Sequence, residues 1–332
     1  MTAQTSIKLA PTSEPDSGLS DLAQRLKAAG DPLRLEILRV LATDSFGVME
    51  LCQLFDIKQS GMSHHLKVLA TAGLVASRRE GNSIFYRRNH SSLEDTSASL
   101  TVALYQTLDG LPITASLQQR IDQIHNQRAE ASQAFFAEQT DTFKEKQDLI
   151  AAYQVYGPQI LELLATTALP ASQRVLEIGP GAGEMLPQLA QQFAQVVALD
   201  NADSMLRNAR QLCQQQQLDN LVFVCNDTRY CQSQQQSFDC AVINMVLHHT
   251  PSPAQIFADV SQCLKPGGAF LVCELCEHNQ DWAREACGDV WLGFEPQDLS
   301  RWAAENAMRE GQSIYVALRN GFQIQLRQFF KL

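Results

Sequence analysis

A strand that runs straight into a glycine-dense turn narrows the choice of fold more than anything else in this chain. Arg174-Val175-Leu176-Glu177-Ile178 is a short apolar run, and Gly179-Pro180-Gly181-Ala182-Gly183-Glu184 follows it at once. Glycines at alternate positions open backbone conformations closed to other residues and let a ligand approach the main chain. From Gln173 onward, similar runs alternate with helical patterns: Val196–Leu199, Leu221–Val224, Phe238–Asn244 and Ala269–Glu274, the last entered through the turn Leu264-Lys265-Pro266-Gly267-Gly268. That alternation predicts a parallel sheet with helices on both faces. Ser313–Arg319 and Phe322–Phe329 flank Asn320-Gly321, a dipeptide favoured in two-residue hairpins.

The glycines do not complete a dinucleotide fingerprint. That pattern wants glycine at position 184, where Glu184 instead sets negative charge at the helix start that a pyrophosphate would occupy. A sulfonium ligand without phosphates fits better, its amino-acid end held by the loop and Glu177. Asp200 closes the second strand, twenty-three residues after Glu177, where an acid accepts hydrogen bonds from ribose hydroxyls. Asn226-Asp227 follows the third strand, placed for an adenine amino group, and the fourth runs through Asn244 into Met245-Val246-Leu247-His248-His249.

These motifs, in this order, resemble the class I S-adenosylmethionine-dependent methyltransferases. The resemblance implies an α/β Rossmann-like domain, a seven-stranded sheet with an antiparallel C-terminal hairpin, binding S-adenosylmethionine or S-adenosylhomocysteine. It implies that Glu177, Gly179, Gly181 and Gly183 line the methionine and ribose side, that Asp200 holds the ribose and Asp227 the adenine. Asn201, Thr228 and Asn244 complete the expected set, and Phe135-Phe136 and Tyr153 lie where a lid is common. His248 and His249 are the candidate bases for methyl transfer; shaping the pocket or capping the next helix is the other reading of the pair.

The N-terminal part has a different character. The net charge of −10 is uneven: residues 21–90 hold ten Lys/Arg against seven Asp/Glu, and residues 91–332 hold fifteen against twenty-seven. Only the first segment suits a polyanion. Asp31-Pro32 is a helix start, an acid before proline at the first helical position. A second helix carries Val48, Leu51, Leu54 and Phe55. A third, Gln59–Ala72, sets Met62, Leu66 and Leu69 on one face and Ser60, Ser63, His64 and Lys67 on another. Short helix, tight turn and a helix with small polar residues near its start make a helix-turn-helix. Two strands then join through Glu80-Gly81-Asn82, with Arg78 and Arg79 on one arm and Arg87 and Arg88 on the other.

The run Asp31-Pro32-Leu33-Arg34-Leu35-Glu36-Ile37-Leu38, then Glu50-Leu51-Cys52, Ser63-His64-His65-Leu66-Lys67-Val68-Leu69 and Ala72-Gly73-Leu74-Val75, resembles the ArsR/SmtB winged-helix repressors. The expectation is an α+β winged helix-turn-helix that binds double-stranded operator DNA as a homodimer. Gln59, Ser60, Ser63, His64 and Lys67 would face the groove, and Arg78, Arg79, Arg87 and Arg88 would supply a basic wing. Leu93, Leu100, Val102, Leu104 and Leu108 in the next helix are candidate dimer contacts. No metal site is expected. Cys52 lacks the second thiolate of the family's Cys-x-Cys pair, and Cys273-x-x-Cys276 is half of a zinc site.

Residues 1–20 read as a disordered tail, 21–90 as the DNA-binding domain, 91–150 as a helical linker and dimerisation segment, and 151–332 as the methyltransferase-like domain. No stretch approaches the roughly 20 apolar residues of a membrane span, and the tail is no signal peptide. A cytoplasmic protein is expected, its nine cysteines reduced and mostly buried. Two functions suit the fusion. One is a regulator of methionine and S-adenosylmethionine-cycle genes whose pocket senses the adenosyl ligand. The other is an enzyme that methylates a small molecule and carries a DNA-binding module. DNA methylation is a poor fit, because Asn244-Met245-Val246-Leu247 stands where an Asn/Asp-Pro-Pro-Tyr/Phe signature would be.

Overall fold

The computed structural model describes residues 17–81, 83–90, 98–139, 143–169 and 173–332, and divides into two compact units, 1–120 and 121–332. Residues 1–16 of the expected tail, Asn82 of the wing turn and Leu93 lie outside the described residues.

In the first unit, α1 (Ser17–Ala29), α2 (Pro32–Val40), β1 (Phe46–Gly47), α3 (Val48–Phe55) and α4 (Gln59–Thr71) precede the strands β2 (Val75–Glu80) and β3 (Ser83–Arg88). Asp31 caps α2 by accepting the Arg34 N–H at 3.0 Å, and Pro32 enters with the φ that a helix start requires. Asp56 takes a left-handed conformation (φ 53°), which stops α3 and turns the chain into α4. Ile37, Leu38, Leu51, Leu54, Met62, Leu66 and Leu69 are fully buried together, so the apolar stripe of α4 is held inside and its polar stripe is left outside. The three strands form an antiparallel sheet in the order β1-β3-β2. Helix α5 (Ala98–Asp109) follows. Leu108 and Tyr105 of α5 face their own unit, whereas Val102 is exposed, so of the four described leucine and valine candidates for a dimer contact Leu108 is already used in the core.

Helix α6 (Ala115–Gln139) belongs to both units, since the boundary falls at 120/121 within it. The division at 120/121 falls within the segment expected to link the two domains.

The second unit continues with α7 (Phe143–Ala151), α8 (Tyr153–Ala165), β4 (Arg174–Ile178), α9 (Leu186–Gln192), β5 (Gln195–Asp200), α10 (Asp203–Gln215), β6 (Leu221–Cys225) and β7 (Phe238–Asn244). After these come α11 (Pro253–Cys263), β8 (Leu264–Leu275), α12 (Trp282–Cys287), α13 (Pro296–Glu305), β9 (Met308–Ala317) and β10 (Gln323–Lys331). The seven strands lie in the order β6-β5-β4-β7-β8-β10-β9, parallel except for β10, which runs antiparallel to β8 and β9. The central strands are apolar throughout because helices cover both faces; Val196–Leu199 and Cys240–Ile243 are buried without a break. No helix of the described residues is long and apolar enough to cross a membrane.

Two local readings change. The Lys265-Pro266-Gly267-Gly268 turn is absorbed into β8 as an irregularity: Phe238 pairs with Leu264 but Cys240 pairs with Ala269. The Lys265 ammonium ties it down at 2.8 Å from Asp239. The last hairpin closes through residues 318–322, with the Leu318 N–H on the Phe322 carbonyl, so its loop is longer than the two residues Asn320-Gly321 suggest.

Candidate functional site

The order of strands reverses at β4, which has β5 on one side and β7 on the other. Crevices outside the carboxyl ends of strands at such a switch point are where open α/β sheets bind ligands. A cavity of about 1180 Å³ opens there. Glu177, Gly179, Gly181, Asp200, Asn201, Asp227, Thr228 and Asn244 line it, so eight of the nine residues expected to bind cofactor converge on one space.

The three glycines divide the work. Gly179 has φ 66°, and a Cβ there would fall 2.5 Å from the Val246 Cγ2, so the turn needs glycine twice over. At Gly181 (φ 53°) a Cβ would meet nothing within 4 Å, and the backbone stands bare on the cavity side. Gly183 does not line the cavity. A Cβ there would come within 3.0 Å of Ala209 Cα, so Gly183 lets α10 close on the turn and is corrected from a ligand contact to a packing position.

Glu177 is buried, and its Oε2 has no hydrogen-bond partner. Burial pushes the carboxyl up to about 8 from the usual 4.5. An orphaned acid at the end of a strand is costly unless something cationic meets it. A group whose pKa is raised in the folded state stabilises that state below its unfolded pKa and loses the contribution as pH rises through the folded one. Glu177→Gln is therefore expected to remove a pH slope. Thermal unfolding without ligand should show the variant increasingly more stable than wild type from about pH 5 to about pH 8; parallel curves would contradict this. Asp200 is also pushed up, to about 6, by burial against the opposing hydrogen bonds from the Ala202 and Asn201 N–H groups. The Ala202 N–H lies 2.8 Å from its Oδ1. Asp227 behaves differently. Burial works upward on it, but Arg229, 2.6 Å away, and the Arg229 N–H hold it below the usual range. Asn244 places a buried, unpartnered Oδ1 at the end of β7.

His248 and His249 part company. His249 lines the cavity and meets the ring of Phe136 edge-on at 5.1 Å. His248 does not line the cavity; its Nδ1 is 2.5 Å from Glu274 Oε1, and its N–H donates to Glu274 Oε2 at 3.2 Å. Of the two candidate bases only His249 stands on the cavity wall, and the His248 ring is held behind it by a buried carboxylate, so His248 is corrected from a base facing an acceptor to a ring one layer back.

The remaining walls come from residues that no sequence motif marks. Helix α6 contributes Asp122, His125, Asn126, Glu130 and Gln133, and α8 adds Tyr156 beside the expected Tyr153. Phe136 faces the cavity, while Phe135 packs on Gly288. Lys144 pairs with Glu184 at 2.8 Å on the rim. Cys225 also lines the space; it is exposed, whereas the other eight cysteines are buried free thiols.

In the first unit, α4 presents Gln59, Ser60, Ser63, His64 and Lys67 together as exposed side chains. The wing is less basic than its sequence. Arg79 is exposed and Arg87 half-buried, but Arg78 pairs with the buried Glu80 at 2.5 Å. Arg88 is only 2% exposed. Its Nε donates to the Leu38 carbonyl at 2.7 Å, its guanidinium pairs with Asp109 at 2.7 Å, and it stacks over Tyr105. Arg88 thus clamps β3 to α2 and α5 and is corrected from a DNA contact to a structural one.

Residues 31–77 match the family described as bacterial regulatory protein, arsR family, and residues 176–272 match the methyltransferase domain. The arsenical resistance operon repressor of Staphylococcus aureus is 35% identical over 82 residues, 25% of this chain and 79% of that one. The chain belongs to the ArsR family. A second relative, the biofilm growth-associated repressor of Agrobacterium fabrum, is 42% identical over 86 residues, covering 26% of the chain and 70% of the repressor. Joined to this ArsR-family winged helix is a class I methyltransferase domain, shown by its matched residues and its strand order. Over 150 residues the ubiquinone biosynthesis O-methyltransferase of Coxiella burnetii is 25% identical, covering 41% of this chain and 64% of that enzyme. S-adenosylmethionine is the cofactor class such a domain implies. The orphaned Glu177, the bare Gly181 backbone and the acid ending β5 fit a ligand with an ammonium group and a ribose.

Proposed function

We propose that this ArsR-family regulator binds operator DNA as a homodimer and uses its methyltransferase-like unit to sense S-adenosylmethionine or S-adenosylhomocysteine, controlling genes of the methionine cycle. The observation that carries the reading is the cavity at the β4 switch point, where Glu177, Asp200 and Asn244 are gathered around bare glycine backbone. Asp200 would hold both ribose hydroxyls, Asp227 and Thr228 the adenine, and Glu177 the amino-acid end. Helix α6 supports a sensing role. Its residues from Asp122 to Phe136 wall the cavity, and at its start Arg120 donates to the Leu54 carbonyl in α3, the helix before α4. A ligand that fixes α6 acts on the element that also touches the DNA-reading motif. No base is needed for such a role.

The test is operator affinity in three conditions: no ligand, S-adenosylmethionine and S-adenosylhomocysteine, read by fluorescence anisotropy. The duplex is the one the protein enriches from a random pool. One ligand should shift the affinity about 5- to 150-fold, the usual range of allosteric coupling. Equal affinity in all three conditions would end the sensor reading.

A further inference from the structure

Beside the cavity, outside the adenosyl-binding set, two segments forty residues apart bring three donors together. His248 and His249 lie in a short 3-10 turn after β7, and Asp289 follows α12. One donor atom from each lies within 4.8 Å of the others, and all three side chains are buried. Asp289 Oδ1 is 3.6 Å from His249 Nδ1 and 3.9 Å from His248 Nε2. Ligand atoms about 2.0–2.1 Å from a tetrahedral zinc ion stand roughly 3.3 Å apart, so these two edges would close with contractions of about 0.3 Å at His249 and about 0.6 Å at His248.

We propose that His248, His249 and Asp289 form a binding site for one divalent first-row transition-metal ion, of the zinc or iron(II) type, at the cavity wall. Two imidazoles and one carboxylate are a borderline-soft nitrogen and oxygen set, which favours such ions over calcium or magnesium. The support around the set is what a metal site requires. Glu274 holds His248 Nδ1 at 2.5 Å, leaving Nε2 as the free ligating nitrogen, in the carboxylate–histidine arrangement that orients metal ligands. Glu274 is itself fixed, accepting the N–H groups of His248 and Leu275. The Asp289 segment is pinned to the histidine turn because Val290 and Trp291 both donate to the His248 carbonyl, at 2.8 and 3.0 Å. Three protein ligands leave at least one coordination position open, and His249 places the set next to the cavity, which supplies an entry path.

The experiment titrates cobalt(II) chloride into metal-free, full-length protein and follows visible absorption, then displaces cobalt with zinc. The expected result is one equivalent per chain with a nitrogen/oxygen ligand-field spectrum and no thiolate-to-cobalt charge-transfer band. His249→Gln and Asp289→Asn should each weaken binding at least 100-fold, with circular dichroism unchanged. Absence of the spectrum in wild type overturns the proposal, as does a thiolate band or unaltered affinity in both variants. Should either variant misfold, the wild-type stoichiometry and spectrum still decide. The adenosyl reading is tested separately by operator affinity, so either can fail alone.

Discussion

Asp200→Ala is expected to abolish adenosyl-ligand binding while leaving the fold intact. Asp200 ends β5 on the cavity wall, and a ribose there would offer two hydroxyl donors to one carboxylate. Hydrogen bonds to charged groups are worth about 1.5–3 kcal/mol each, so losing both should weaken affinity by at least about 100-fold. The fold has less to lose. The variant forfeits the bond from the Ala202 N–H, but it also removes an acid that burial pushes up to about 6. These effects oppose each other, and unfolding without ligand should shift little. Calorimetric titration with S-adenosylhomocysteine checks the first part and thermal unfolding the second. A loss below tenfold would mean that the ribose is held elsewhere.

The second large effect concerns DNA. Ser63 and His64 are exposed on α4, while Met62 and Leu66 beside them are fully buried, so alanine at 63 and 64 leaves the helix anchored. Each base-edge contact is worth about 1–3 kcal/mol of discrimination, and the proposed homodimer would lose both at each half-site. Operator affinity should fall by at least about 100-fold, while binding to unrelated duplex changes little. Lys67→Ala should behave differently. A lost phosphate contact weakens all sequences alike and lowers the slope of log affinity against log salt by about 1. An unchanged ratio of specific to non-specific affinity in the Ser63/His64 variant would remove α4 from the reading role.

Much of this architecture could be read from local pattern. Strands β4, β5 and β7 are short apolar runs, the first closed by glycine and the second by an acid, and Glu177, Asp200 and Asn244 fall at or next to their ends. Parts that depend on distant partners could not be read. Arg88 resembles Arg87 in sequence and differs only through Asp109 and Tyr105 of α5, which draw it inward. Helix α6 buries Leu117, Ile121 and Ile124 on one face, and its Asp122, His125, Asn126, Glu130 and Gln133 carry no motif that marks them as cavity walls; only the fold sets them beside the strand ends. His248 and His249 are adjacent in sequence, and only the fold turns one to the cavity and the other to Glu274. Gly183 shares its spacing with Gly179 and Gly181, and what separates it is Ala209, on a helix the motif does not contain.

The thiol of Cys225 gives the chain a single chemical address. With its eight fellow cysteines sealed inside, a maleimide dye applied to the folded protein has one place to react, at the end of β6 on the rim of the cavity. A fluorophore installed there would stand next to Asn226 and Asp227, making the protein its own optical gauge of what enters.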